Sequence, residues 1–239
     1  MENQKKSDKF LSISILIAAV LIAGSLIYSA GLKNVDRSDD ERIETDKGQE
    51  ALTEPQIGDD VVLGDPEAPV TVIVFGDYQC PFCGKFFKES ESLIRQNYVE
   101  TGKVKLVHKD LAFLGPESTL AAQAAECAKD QGKYWQYHDN LYETEYKEFQ
   151  EKGNNEHTGN LNRETFQKIA SDLEMNVDEF LNCFDSQRYA SEVENDINEA
   201  KAVMEQRIST PTIFINDKMI QGAYPYDVFA EAIEEALIN

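Results

Sequence analysis

The chain has 239 residues, 41% of them hydrophobic and 28% charged, with four cysteines and a formal net charge of -21. That length carries one good-sized domain with extensions, and four cysteines are too few for a fold built on disulfides, so a hydrophobic core must hold it. The acidity excludes an electrostatic nucleic-acid binder, because such proteins gather Lys and Arg to displace phosphate counterions.

From Phe10 to Ala30 no residue is charged and most are Leu, Ile, Ala or Val. At about 1.5 Å per residue this stretch crosses a hydrocarbon core of about 30 Å, so residues 1–30 read as a cytoplasmic stub and an N-terminal transmembrane helix. Lys5, Lys6 and Lys9 precede it and Asp36, Asp39, Asp40 and Glu41 follow. The positive-inside bias then puts the rest of the chain outside the cytoplasm, at the cell surface or in the periplasm. A cleaved signal peptide is the alternative. A cut after Ala30 would put Tyr28 where a small residue is needed, which favours an uncleaved anchor. Residues 31–59 are charged and polar with no hydrophobic period and read as a flexible acidic tether. Residues 1–59 hold 11 acidic and 7 basic residues, so 17 of the 21 net negative charges belong to residues 60–239.

That part opens with strand signals at Val61-Val62-Leu63 and at Val70-Thr71-Val72-Ile73-Val74-Phe75, the second continuous enough for a central strand buried on both faces. A helical stretch with Phe86, Phe87, Leu93 and Ile94 on one side follows and ends near Gly102; Val104 to Leu111 is a further strand. The order is β-α-β. Helices then run from Pro116 to Gly132 and from Tyr134 to about Phe149, followed by a polar loop from Gln150 to Asn160. Asn162 caps one helix, with Leu161 and Phe166 spaced as a hydrophobic staple, and Asn176 with Glu179 forms a capping-box pattern for the next. Another helix spans about Tyr189 to Gln206. Thr212 to Ile215 and Lys218 to Gln221 form a hairpin about Asn216-Asp217, and Tyr226 to Leu237 is a closing amphipathic helix.

Cys80-Pro81-Phe82-Cys83 lies between the central strand and the helix that follows it. Thiols at i and i+3 on a first helical turn are close enough to bridge, and the exposed peptide N–H groups and macrodipole there favour a thiolate on the first. Cys80 is the candidate nucleophile and Cys83, one turn deeper, the resolving thiol. Pro81 suits a first turn because its missing N–H had no partner there anyway. A structural disulfide and half a zinc site are the competing readings; strand-CxxC-helix placement favours redox chemistry, which needs no cofactor or metal.

With those residues in view, the chain resembles the thioredoxin fold, and closely resembles DsbA-like thiol-disulfide oxidoreductases of the BdbD type. The resemblance covers about Val61 to Leu237 and rests on VTVIVFGDYQCPFC, AAQAAECAKDQGKYWQYHDNLYE, DEFLNCFD and STPTIFINDKMIQGAYPY, in that order. It implies an α/β thioredoxin domain over residues 60–239 with an all-helical insertion at about 115–207. It also implies an extracytoplasmic enzyme that passes disulfides to thiol-containing, unfolded or partly folded secreted proteins, and a membrane redox partner that recharges the CxxC. By that resemblance Cys80 attacks, Cys83 resolves, and Thr210-Pro211 is a cis-peptide loop facing them. Two positions depart from the pattern: Val74 stands where many relatives carry an acidic residue six positions before the first cysteine, and Ser209 where Gly is common.

Cys127 and Cys183, each on an insertion helix, read either as buried free thiols or as a disulfide; outside the cytoplasm an even cysteine count favours the bond. His108, His138 and His157 lie apart in sequence, and His108 shares a strand face with Val104 and Leu106, which makes it a packed histidine and not a metal ligand. Tyr134 and Trp135 read as insertion core. Three functions follow: an oxidase that hands on a Cys80–Cys83 disulfide, an isomerase or reductase that keeps the pair reduced, or a non-enzymatic protein that holds zinc with all four cysteines.

Overall fold

The structure, a computed structural model, describes residues 54–153, 156, 158–204 and 207–238. The anchor, the tether up to residue 53, and His157 lie outside the described residues. Among the described residues no helix is long and apolar enough to cross a membrane.

Among the described residues four strands form one sheet in the order β2-β1-β3-β4. Strand β1 (Val70–Gly76) pairs in parallel with β2 (Val104–Asp110) and antiparallel with β3 (Thr212–Ile215), which pairs antiparallel with β4 (Lys218–Gln221). The unbroken apolar run of β1 follows from burial on both faces. Val70, Val72 and Val74 join Phe86 and Phe87 in the main core, while Ile73 and Phe75 pack with Val107, Leu111 and Phe214 on the other side.

Helix α1 connects β1 to β2 as consecutive stretches Pro81–Phe86, Phe87–Glu91, Ser92–Ile94 and Arg95–Val99, the second and fourth π-helical. Residues 61–63 do not form the expected strand. Only Leu63 pairs, exchanging N–H and C=O with Leu106 on the outer edge of β2 at 2.8 and 3.0 Å. The Val61 carbonyl instead accepts the indole N–H of Trp135 at 3.1 Å, and Gly64 turns the chain away with φ of 99°. Packing begins before residue 60: Ile57 lies against the second core face, and the Gln56 N–H donates to Glu199 Oε1 at 2.6 Å.

Between β2 and β3 the described residues form five helices: α2 (Pro116–Lys129), α3 (Tyr134–Lys152), α4 (Arg163–Asp172), α5 (Val177–Asp185) and α6 (Ala190–Met204). Helix α3 outruns its sequence reading by a few residues because the polar Gln150-Glu151-Lys152 segment still winds, until Gly153 ends it in the left-handed region at φ 73°. The Asn162 side chain accepts from the Glu164 and Thr165 N–H groups, and Leu161 and Phe166 are both buried beside it. Asn176 accepts from the Glu179 N–H, but its own N–H donates to Gln131 Oε1 at 2.7 Å, so that capping box is half formed. Trp135 sits where α3 meets α1, its ring 4.9 Å from the Arg95 guanidinium. Helix α6 lays Ala200, Val203 and Met204 on the second sheet face, and α7 (Tyr226–Ile238) lays Phe229, Ala232 and Ile233 on the first.

Candidate active site

The end of β1 aims residues 77–83 at the top of the sheet. Cys80 is the N-cap of α1, extended at φ -78° and ψ 117°, with Pro81 in the first turn. Its carbonyl accepts the Gly84 N–H at 3.0 Å, and its N–H donates to the Asp77 carbonyl at 3.0 Å. Cys80 and Cys83 are both free thiols, 6% and 2% exposed, so a partner reaches the pair only at Cys80. The Thr210-Pro211 peptide bond is cis, and the Cys80 thiol donates to the Thr210 carbonyl at 3.6 Å.

The two sulfurs ionise very differently. The Cys83 thiol donates to the Cys80 sulfur and outweighs burial; with help from the Thr210 side chain and the N–H groups of Cys83 and Phe82, it lowers the Cys80 pKa from 9.0 to about 7. Burial pushes Cys83 well above its ordinary value, and the hydrogen bond and charge of Cys80 push it further. Asp77, three residues before Cys80, braces the loop from below. It is buried, and its carboxylate accepts from the N–H groups of Gln79 at 2.9 Å and of Phe113 and Leu114 at 3.0 Å each. Burial raises its pKa, opposed by the Ser118 hydroxyl and those N–H groups.

Phe82 is 64% exposed and forms one wall of a groove of about 750 Å³ that reaches Thr210 and Ser209 on one side and Met219, Gln221 and Tyr224 on the other. The Ser90 hydroxyl holds the Tyr224 carbonyl at 2.9 Å, and the Gln221 side-chain amide holds the Arg207 carbonyl at 2.9 Å, so both walls are tied to the fold. Ser209 accepts the Thr212 hydroxyl on its carbonyl at 2.7 Å.

Behind the site the fold assembles a group that spacing did not reveal. His108 and His138 lie apart in sequence, yet their rings are 4.5 Å apart; the Tyr78 hydroxyl and His138 Nδ1 share a hydrogen bond of 3.0 Å, and Tyr142 packs on both imidazoles. Burial lowers both histidines to about 4, so both are neutral near pH 7. Burial also acts to raise Glu91, but Arg95 and the two imidazoles prevail and bring it down to about 2. Val74, in register with His108 on β2 and Ile213 on β3, contributes only apolar packing. A Cβ on Gly76, two residues on, would lie 2.5 Å from both His108 Cε1 and the Tyr142 hydroxyl, which is why the strand ends in glycine.

A second polar group lies away from the thiols. Lys109 Nζ contacts Asp60 at 2.5 Å, Asp196 at 3.1 Å and Glu199 at 2.9 Å, and oxygens of Asp60, Glu126 and Glu192 come within 4.8 Å of one another, a spacing that could hold a cation. The four cysteines do not converge on a zinc site. Cys127 and Cys183 are joined by a disulfide with a Cα–Cα distance of 5.8 Å, tying α2 to α5, and Cys80 and Cys83 stand apart from them as free thiols. The zinc reading is therefore withdrawn, because two of its four sulfurs are consumed by each other.

Comparisons with known proteins agree with this geometry. A family profile described as "Thioredoxin" matches residues 56–235. The "Disulfide bond formation protein D" of Bacillus subtilis (strain 168) is 33% identical over 198 residues, covering 81% of this chain and 84% of that one. A "Probable disulfide bond formation protein D" of Bacillus anthracis is 27% identical over 237 residues, covering 98% and 99%. The crystal structure of oxidised BdbD from Bacillus subtilis superposes with a TM-score of 0.69 at 31% identity, over 78% of this chain and 97% of that one.

Proposed function

The chain belongs to the thioredoxin family, in its DsbA-like branch, and on that basis we propose that it is an extracytoplasmic oxidase donating the Cys80–Cys83 disulfide to secreted or surface proteins. Its chemistry is thiol-disulfide exchange. The direction rests on one observation: the Cys80 sulfur sits at a helix N-terminus among donors that bring its pKa to about 7. A stabilised thiolate favours the reduced pair, and that makes the disulfide form a stronger oxidant.

In the oxidised enzyme a client thiolate attacks Cys80, the Cys80–Cys83 bond breaks, and its electron pair leaves on Cys83, which takes up a proton. A second client thiolate then attacks the client sulfur of the mixed disulfide and expels Cys80 as a thiolate. Two client thiols have lost two electrons to the enzyme dithiol, and a membrane redox partner that accepts those electrons restores the disulfide. Clients are thiol-bearing chains still unfolded or partly folded.

Location outside the cytoplasm is supported by the apolar stretch at residues 10–30 with lysines before it, and by the Cys127–Cys183 bond, since disulfides persist in oxidising compartments. Alkylation of acid-quenched cells tests the direction: an oxidase rests mainly oxidised at Cys80 and Cys83, and a pair found reduced would transfer the assignment to isomerase or reductase. Protease added to intact wall-stripped cells digests the domain if it faces outward; protection until lysis would refute that orientation.

A further inference from the structure

The groove beside Cys80 differs in charge from the molecule that carries it. Residues 60–239 hold 17 net negative charges, yet the described residues lining the groove include two cations, Lys85 and Arg207, and no carboxylate. We infer that this groove selects client segments carrying Asp or Glu beside the reacting cysteine, with Lys85 and Arg207 as the selecting side chains. The inference rests on the oxidase reading above, because it specifies which clients that site takes.

The placement of the two cations carries it. Lys85 lies two residues beyond Cys83 on the first stretch of α1, and Arg207 lies on the segment that leads into the Thr210-Pro211 loop. They approach the groove from the two elements that flank the Cys80 sulfur. The Arg207 backbone is held by Gln221, so its guanidinium projects from a fixed base. Among the described residues no carboxylate lines the groove beside that guanidinium, whose planar fork matches a carboxylate with two parallel hydrogen bonds. Lys85 has a neighbour, Glu89, at 3.9 Å on the helix surface, but both side chains are about half exposed and such a pair competes weakly with an incoming anion. Phe82, Met219 and Tyr224 line the same groove, are exposed and offer apolar contact to the rest of the segment.

Net charge alone argues the reverse, since an acidic domain repels an acidic client. Screening decides between them. At physiological salt the Debye length is about 8 Å, so charges spread over the domain are damped more than two cations lining the contact itself.

The test compares two cysteine peptides of identical core sequence, flanked by Glu in one and by Lys in the other, against the full-length protein oxidised with excess glutathione disulfide and freed of it. Each rate, followed by stopped-flow fluorescence at about 0.15 M salt, is divided by that peptide's rate with hydroxyethyl disulfide. This removes the effect of the flanking charges on the peptide thiol itself. We expect the normalised Glu-to-Lys ratio to be roughly three- to tenfold in the wild type, given the small worth of each exposed charge contact. It should fall toward one in a Lys85→Gln/Arg207→Gln protein and invert in Lys85→Glu/Arg207→Glu. A wild-type ratio of one or below overturns the inference and leaves the oxidase reading intact. A ratio unchanged by both double variants overturns the assignment to Lys85 and Arg207. Failure of the oxidised protein to react with either peptide overturns the oxidase reading and the inference with it.

Discussion

The Cys80 sulfur lies 3.6 Å from the carbonyl oxygen of Thr210, 130 residues away in the chain, and this contact joins the two halves of the sheet domain across the helical insertion. It places the Cys80 thiol between the N-terminus of α1 and the loop before Pro211, whose Thr210 also lines the groove beside Phe82.

Alkylation of the reduced protein should report the unequal thiols. The iodoacetamide rate of Cys80 is expected to rise with pH about a midpoint near 7, because the Cys83 thiol holds the thiolate. In Cys83→Ala the midpoint should move up toward the ordinary thiol range. An unchanged midpoint would assign the effect to the helix terminus instead.

The same ionisation makes the stability of the reduced form depend on pH. Cys80 releases its proton at about 7 when folded and at 9.0 when unfolded, so between these values the unfolded chain binds more protons and stability rises with pH. A thiol pKa that falls from 9.0 to about 7 on folding corresponds to about 2–3 kcal/mol. Above 9.0 the raised Cys83 reverses the sign, since the folded protein then keeps a proton the unfolded chain has lost. The oxidised form has neither thiol, so urea melts of both forms from about pH 6 to 10 isolate the effect as their difference. A flat difference would contradict it.

Replacing both Cys127 and Cys183 with Ala should lower stability by about 4 kcal/mol at most, the chain-entropy value for a sequence separation of 56 residues. Exchange at Cys80 should persist at temperatures where the variant stays folded, because this bond ties α2 to α5 and not the thiol loop. Loss of exchange in a folded variant would show that the insertion positions the site.

Gly76→Ala should cost about 1–3 kcal/mol by overpacking, as the new methyl meets the buried His108 ring and the Tyr142 hydroxyl at 2.5 Å. The change should show as a lower urea midpoint at an unchanged slope. A neutral result would mean that the paired imidazoles can move apart.

Local sequence determined the parts of this protein whose physics is local. The unbroken apolar run at Val70 to Phe75 required a strand covered on both faces, Asn162 and Asn176 marked helix starts through short-range side-chain caps, and two cysteines three apart after a strand placed a dithiol on a helix terminus. Tertiary structure decided whatever depends on atoms distant in the chain. The strand propensity of Val61-Val62-Leu63 yielded to the Trp135 indole and the turn at Gly64, because a backbone carbonyl goes to whichever donor the packed fold brings to it. His108 and His138 became one cluster, and Lys85 and Arg207 two sides of one groove, only through the return of β3 alongside β1 and the docking of α3 on α1. Burial and long-range hydrogen bonds set ionisation, so the pattern Cys-Pro-Phe-Cys marked the candidate pair, while the arrangement of Cys83 and Thr210 about the Cys80 sulfur brings its pKa to about 7.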